Sequence, residues 1–155
     1  ISLEARHWKR KCLVCFDSPE QFTALGDQLA AQYSAIEPLP GAKIDGKFTL
    51  GENIGDLGGV NAAYDGLQMA LKANGNPGLI DGYTPEQRFF INYAVIWRTN
   101  MRPEALRMQI LSNEHSPAKY RVNGVLSNLP AFHNAFGVKP TDKMFVKETD
   151  RAKMW

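Results

Sequence analysis

The sequence predicts a mainly α protein, a single helical domain with little strand. Two observations lead to this fold class. Apolar residues recur at three- and four-residue spacing in several segments, and residues that start or stop helices bound those segments. The chain has 155 residues, of which 44% are hydrophobic and 22% charged, so it is long enough to bury one core.

The first predicted helix follows residues 17–18, where Asp17 or Ser18 can cap it and Pro19 suits its first turn. Its apolar face recurs at helical spacing: Phe22, Leu25, Leu29 and Tyr33. Prolines and glycines between residues 38 and 46 break the helix into a loop. Residues 47–50 are expected as a short extended piece.

The strongest helical signal runs from Thr49 to Leu71. Thr49 followed by Glu52 has the pattern of a capping box, which opens a helix. One apolar stripe is expected to face the core: Ile54, Leu57, Val60, Tyr64, Leu67 and Leu71. Asparagine, glycine and proline over residues 74–78 end this helix.

Four shorter segments complete the prediction. Residues 84–87 form a second capping box, with Pro85 in the first turn, before a bulky apolar face: Phe89, Phe90, Tyr93, Ile96 and Trp97. A break at 102–104 precedes a helix to about residue 111. Ser116 and Pro117 are expected to cap the next helix, whose expected core residues are Tyr120, Val125 and Leu126. A last helix, 130–136, is closed by Gly137, and an irregular tail follows.

Composition excludes several classes of protein. The formal net charge of +2 is too small to indicate a nucleic-acid or anionic-membrane partner. No apolar run approaches the ~20 residues that span a bilayer. Two cysteines are too few for a disulfide scaffold.

Residues 1–16 combine a basic cluster with a C-x-x-C formed by Cys12 and Cys15. With His7 nearby, this pattern fits half a zinc site or a redox pair. A zinc ribbon needs a second cysteine pair, and a thioredoxin-like site needs a βαβ context, whereas the residues that follow look helical. We therefore favour cysteines without a functional role, and keep metal or redox binding at Cys12 and Cys15 as a weaker hypothesis.

The helix that begins near Thr49 carries the residues that most suggest chemistry. Glu52 and Asp56 are four apart, so both carboxylates lie on one face at a small electrostatic cost. Gly58 and Gly59 follow in the helix interior, where each costs ~1 kcal/mol relative to alanine. Glycines allow another element to approach closely, and two carboxylates on one face suit a metal ligand and a group that orients a ligand. The alternative is a capping Glu52 and a solvated Asp56.

Three motifs resemble the neprilysin family of zinc metalloendopeptidases. Residues 51–59 match its G-E-N-I-x-D-x-G-G segment, residues 115–121 its H-S-P-x-x-x-R, and residues 97–104 its W-x-x-x-x-R-P-E. The motifs occur in the family's order, and the chain ends on Trp155, as members commonly do. The resemblance implies the C-terminal helical half of a thermolysin-like (zincin) catalytic domain over residues 17–155. Residues 1–16 do not fit it, so we expect a divergent surface segment or a segment foreign to the native chain.

The resemblance implies roles for both carboxylates of this helix. Glu52 matches the third zinc ligand of the family, whose other two ligands are the histidines of H-E-x-x-H. Asp56 matches the aspartate that orients one of those histidines, a role expected of a carboxylate beside a zinc-bound imidazole.

The resemblance also implies substrate-binding residues. His115 matches the histidine that stabilises the oxyanion, and Arg121 the arginine that binds a substrate carbonyl. Ile96 and Trp97 match the walls of the apolar pocket for the side chain after the scissile bond. Read singly, these would be a surface histidine, a helix-surface charge and two core residues; their joint occurrence favours function. No family role falls to His133, which we expect to be structural or exposed.

Departures from the family pattern limit what this chain is expected to do alone. Its histidines are His7, His115 and His133, and no two are four apart, so H-E-x-x-H is absent. Two of three zinc ligands and the glutamate general base are therefore missing, and we expect neither tight zinc binding nor peptide hydrolysis. We expect the chain, which begins at Ile1, to be the C-terminal part of a longer enzyme. Asn113 stands where an aspartate is expected, which weakens support for a protonated His115.

The sequence thus leads to two main hypotheses. In the first, the chain is part of a zinc endopeptidase that cleaves short peptides, with the rest of the catalytic domain as its partner and zinc bound only in the intact enzyme. In the second, it is a non-catalytic helical binding or structural domain derived from that family. An exposed active-site face would invite self-association. The resemblance suggests an extracellular, periplasmic or membrane-anchored location rather than a cytoplasmic one.

Overall fold

A computed structural model of the chain describes residues 19–154. The helices among them are α1 (Pro19–Ser34), α2 (Leu50–Asn74), α3 (Pro85–Ile96), α4 (Pro103–Ser112), α5 (Ala118–Leu126) and α6 (Pro130–Phe136), and a 3-10 turn spans Glu148–Asp150. Strand-like pairing within these residues is limited to two isolated bridges. The predicted helical class is confirmed. The segment 1–16, its cysteine hypothesis and the predicted caps at residues 17 and 18 lie outside the described residues.

The 25-residue helix α2 is the centre of the fold, since it packs against α1, α3 and α5. Leu57 and Val60 of its predicted stripe are buried, and Ile54 and Tyr64 pack against the core as partly buried residues. Other elements complete one buried cluster: Leu29, Tyr33, Ile44, Phe90, Val122, Val125, Leu126, Leu129, Ala152 and Met154. The stripe is thus confirmed at its first four positions, while the two leucines near the end of α2 are only half-buried.

The irregular tail closes the core although it contains little regular structure. Ala152 and Met154 are each 2% exposed. The buried Asn128 holds the tail, since its Oδ1 accepts a hydrogen bond from the Ala152 backbone N–H at 2.8 Å. His133 is also buried, with Nε2 2.8 Å from the Ser127 carbonyl oxygen and Nδ1 3.1 Å from Nη2 of Arg151. Of the two expected alternatives, structural or exposed, His133 is therefore structural.

Two predicted boundaries are confirmed. Thr84 and Gln87 form a reciprocal capping box at the start of α3, with hydrogen bonds of 3.0 and 3.2 Å. Gly137 ends α6 in the left-handed conformation at φ 60°, which favours glycine.

The predicted start of α2 is wrong in two respects. Residues 47–49 form a turn rather than an extended piece, because the Asp45 carboxylate accepts the backbone N–H groups of Lys47 and Phe48 at 3.0 Å each. The Thr49 side chain makes no cap hydrogen bond; its hydroxyl donates back to the Asp45 carbonyl at 2.9 Å. The expected serine cap of α5 is also absent, because the Ser116 hydroxyl donates to Asn53 on α2 instead.

Close contact between α5 and α1 requires a glycine at position 124. A Cβ added to Gly124 would lie 2.5 Å from Oη and 2.6 Å from Cζ of Tyr33, which is fully buried. The Tyr33 hydroxyl also donates to the Tyr120 carbonyl at 3.1 Å, so the ring has little freedom to move.

Replacement of this glycine should therefore destabilise the protein. We expect Gly124→Ala to lower the free energy of unfolding by about 2–3 kcal/mol through overpacking. As the matched control, Gly66→Ala on α2, where a Cβ meets no atom within 4 Å, should raise it by about 0.5–1 kcal/mol. Denaturant titration of the purified variants measures both changes, and equal midpoints for the two would contradict the close packing.

Candidate active site

Four predicted site residues converge on one face of the molecule. Glu52 and Asp56 project from the first two turns of α2. Arg121 projects from α5, and His115 lies in the connection between α4 and α5. The structure joins them as two neighbouring pairs, Glu52 with His115 and Asp56 with Arg121.

The Asp56–Arg121 pair is the better shielded of the two. Arg121 donates from Nε to Oδ2 and from Nη2 to Oδ1, each at 2.6 Å. The side chains are only 12% and 15% exposed, respectively, so both charges are largely removed from water. The hydrogen bonds that Arg121 donates to Asp56 raise the pKa of Arg121, against the opposing effect of burial. A bidentate pair of this kind gives geometric definition as well as energy.

Two aromatic residues also hold Arg121. Its guanidinium carbon lies 3.9 Å from the centroid of the Trp97 ring, a cation–π contact. The Tyr93 hydroxyl donates to the Arg121 backbone carbonyl at 3.0 Å. Burial and, to a smaller extent, the Asp56 charge raise the pKa of Tyr93 to about 12, so this hydroxyl stays a donor at neutral pH.

The same anchoring repeats one residue earlier in α5. The Tyr33 hydroxyl donates to the Tyr120 carbonyl, and burial raises the pKa of Tyr33 above its ordinary value. Arg121 is thus fixed both through its side chain and through its backbone. Asp56 engages Nε and Nη2 of Arg121, and no hydrogen bond from the described residues engages Nη1. This nitrogen can donate to a bound carbonyl oxygen.

The Glu52–His115 pair is more accessible. His115 Nε2 lies 2.9 Å from Glu52 Oε2, and the two side chains are 39% and 42% exposed. On the other side of the ring, Nδ1 lies 3.0 Å from Asn113 Oδ1, which also accepts the His115 backbone N–H at 2.8 Å. Asn113 therefore orients the ring although it lacks the charge of the expected aspartate.

The described residues do not form a complete zinc site. In residues 19–154, no three histidine, cysteine, aspartate or glutamate side chains are placed to hold a metal ion together. The half-exposed Glu52 carboxylate suits one oxygen ligand of zinc. Asp56 already accepts a bond at each oxygen, and each oxygen retains a lone pair for a further donor. Within residues 19–154, these two carboxylates are therefore oxygen donors without the further side chains that would complete a metal site.

An apolar cavity of about 290 Å³ adjoins the second of these carboxylates, Asp56. Its lining includes Asp56, Tyr93 and Ile96, together with the open faces of Gly55 and Gly59. Ile96 is 67% exposed, so it is a cavity wall and not a core residue. Trp97, its neighbour, packs against the core and lines a separate cavity of about 450 Å³ between α3, α4 and α5. The structure therefore does not bring these two predicted pocket residues to the same cavity.

Sequence reasoning missed two residues next to the pairs. Asn53 and Ser116 follow Glu52 and His115 directly, are each 1% exposed, and are joined by a 2.8 Å hydrogen bond. Two signals were available. Asn53 lies four residues before Leu57 and so belongs to the buried side of α2, and both residues stand inside the motifs 51–59 and 115–121. Nothing in the local pattern indicated its partner.

The helical scaffold defines the class, since it matches a solved zinc metalloprotease structure. The chain is 39% identical to the zinc metalloprotease ZMP1 of Mycobacterium tuberculosis, solved in complex with an inhibitor, and the two superpose with a TM-score of 0.85. The matched region covers 90% of this chain and 22% of ZMP1. The family model for peptidase family M13 matches residues 9–152. The chain therefore belongs to peptidase family M13, the neprilysin family, which confirms the resemblance and the predicted fold class.

Curated relatives point to the same family. Neprilysin-3 of Drosophila melanogaster is 34% identical over 158 residues, which cover 97% of this chain and 18% of the relative. Membrane metallo-endopeptidase-like 1 of Homo sapiens is 42% identical over 114 residues, covering 72% and 14%. The chain thus spans less than a fifth of the length of these relatives. Within residues 19–154, no helix has the length and apolar character needed to cross a membrane.

Proposed function

We propose that this chain is part of the catalytic domain of a zinc metalloendopeptidase that hydrolyses peptide bonds in short peptides. One observation carries the proposal: Glu52, Asp56, His115 and Arg121, from two separate motifs, meet as two neighbouring pairs on one accessible face. Zinc, when bound in the intact enzyme, supplies a Lewis acid that polarises the scissile carbonyl. Peptide is the substrate class that membership of a peptidase family supports.

We assign different roles to the two carboxylates of α2. Glu52 is half-exposed and contributes one oxygen ligand to the zinc. Asp56 is mostly buried, accepts two hydrogen bonds from Arg121 and orients a ligand histidine supplied by the rest of the enzyme. Because the described residues provide only one ligand, we expect the chain by itself to be inactive and to retain little zinc.

The remaining residues bind and stabilise substrate. His115 presents Nε2 at the accessible face, where it can donate to the oxyanion that develops during attack on the carbonyl. Arg121, held by Asp56 and Trp97, offers Nη1 to a substrate backbone carbonyl. Ile96 forms one wall of the apolar cavity that accepts a substrate side chain.

The rest of the catalytic domain is the proposed partner of the open face of α2. A Cβ at Gly55 or Gly59 meets no atom within 4 Å, so this side of the helix leaves room for another element. Ile96 and Met69 are 67% and 72% exposed, and apolar surface of this kind favours self-association of the isolated chain. An extracytoplasmic location remains part of the proposal by family membership.

Assay of the full-length enzyme tests the proposed function. We expect it to cleave quenched fluorescent short peptides, to lose activity on chelation and to regain it when zinc is restored, while the isolated chain stays inactive. Absence of an in-frame H-E-x-x-H upstream in the gene, together with no cleavage, would favour the alternative, a non-catalytic helical domain.

A further inference from the structure

A chain of buried hydrogen bonds connects the two motifs of the site. The Thr49 hydroxyl donates to the Asp45 carbonyl at 2.9 Å, and the Asn53 amide donates to the Thr49 hydroxyl at 3.0 Å. The Ser116 hydroxyl then donates to Asn53 Oδ1 at 2.8 Å. Thr49 is 4% exposed, and Asn53 and Ser116 are 1% exposed, so water does not compete for these bonds.

The direction of each bond in this chain is determined. The Thr49 proton goes to a carbonyl, which can only accept, so its oxygen must accept from the Asn53 amide nitrogen. The Asn53 oxygen is thereby left facing Ser116, which has a single proton to donate. One orientation of the Asn53 amide satisfies every group, and it presents an acceptor to the segment that carries His115.

The hydrogen bond between Ser116 and Asn53 lies directly beside the Glu52–His115 pair. Asn53 follows Glu52 on α2, and Ser116 follows His115 in the connection 113–117, which contains no helix. The Glu52 and His115 side chains also contact each other directly, but both are accessible to water. Exposed ion pairs of this kind hold two elements together only weakly. The buried bond one residue away is the stronger constraint, because an unpaired buried acceptor is costly.

We propose that Asn53 and Ser116 are positioning residues that set His115 relative to Glu52 and the substrate. Neither touches substrate in this assignment; each acts through its neighbour in the chain. The proposal rests on the proposed function of His115, and it adds a reason why the two motifs must occur together. Without the bond, segment 113–117 loses its buried hydrogen bond to α2.

The test is a double-mutant cycle in the full-length enzyme with Ser116→Ala and His115→Ala. We expect Ser116→Ala to lower kcat about 10- to 100-fold, the scale of a misplaced catalytic group, with little change in KM or zinc content. In the His115→Ala background the same change should cost less than about twofold, because there is no longer an imidazole to position. Ser112→Ala is the matched control: its exposed hydroxyl bonds Met108 within α4, so kcat should stay within about twofold in both backgrounds.

The outcomes separate this proposal from the proposed function. An equal loss of kcat from Ser116→Ala with and without His115 would show a purely structural role and overturn the proposal. If His115→Ala itself leaves kcat unchanged, the catalytic assignment of His115 fails first. Should Ser116→Ala not fold, as judged by thermal unfolding, Ser116→Cys fills the same space with a weak donor, and the same comparison in the two backgrounds decides.

Discussion

Glu52→Gln in the full-length enzyme should remove stoichiometric zinc and reduce kcat/KM by more than 100-fold. Loss of an outer hydrogen-bond partner of a metal ligand costs about 10–100-fold in affinity or activity, so loss of a ligand itself should exceed that range. The substitution keeps the shape of the side chain and removes its charge. Because the Glu52 side chain is 42% exposed and makes no cap hydrogen bond with Thr49, helix stability should change little.

Metal analysis and steady-state kinetics measure the two effects together. Asp65→Asn is the matched control, since Asp65 is an exposed carboxylate further along α2 and outside the three family motifs. We expect it to keep full zinc content and activity. Unchanged zinc content and turnover in Glu52→Gln would remove this residue from the ligand set.

Arg121→Ala should impair both stability and substrate binding. The Asp56 carboxylate would remain in a largely buried position without its partner, and stranding a buried charge costs about 3 kcal/mol. The Trp97 ring also loses its cation–π contact. If Arg121 binds a substrate carbonyl, kcat/KM should fall by about 100-fold, the cost of one charge-assisted bond made to substrate.

Arg121→Lys and Arg98→Ala serve as comparisons. Arg121→Lys keeps the charge but loses the two-pronged geometry, so stability should fall less than in Arg121→Ala while kcat/KM still declines. Arg98 is exposed on the neighbouring loop, and its replacement should change the free energy of unfolding by less than about 0.5 kcal/mol.

A double-mutant cycle with Asp56→Asn isolates the pair itself. Because Asp56→Asn removes the stranded charge, the double variant should lose less stability than the sum of the two single losses. Strictly additive losses would show that the 2.6 Å contacts contribute nothing to folding.

Much of the helical framework follows from local chemistry. Thr84 and Gln87 cap α3 as their spacing predicts, because both partners of a capping box lie within one turn. Gly137 ends α6 for an equally local reason, the left-handed conformation it adopts. Leu57 and Val60 face the core because helical periodicity alone places them on one side.

Hydroxyl groups expected to cap helices are where local prediction failed. Thr49 and Ser116 both stand at positions where a cap is common, yet their protons go to the Asp45 carbonyl and to Asn53. Ser116 and Asn53 are 63 positions apart in the chain. No pattern within one turn can distinguish a capping hydroxyl from one whose partner lies on another helix.

The pocket residues show a similar limit. Ile96 and Trp97 are adjacent and were expected to share one pocket, but the end of α3 falls between them. Their side chains diverge, so Ile96 lines the cavity beside Asp56 while Trp97 packs under Arg121.

The residue types of the site were already legible in the chain, because Glu52, Asp56, His115 and Arg121 stand in long motifs whose order and spacing identify the family. Their pairing was not. The two carboxylates are four residues apart on α2, and either could meet His115 or Arg121. Helix α5 packs on α2 and is held in place by Tyr33 of α1, which Gly124 approaches closely, and by Tyr93 of α3. This packing brings Arg121 to Asp56 and leaves His115 with Glu52. Which carboxylate meets which partner depends on contacts between segments that are far apart in the chain, and local sequence patterns do not encode those contacts.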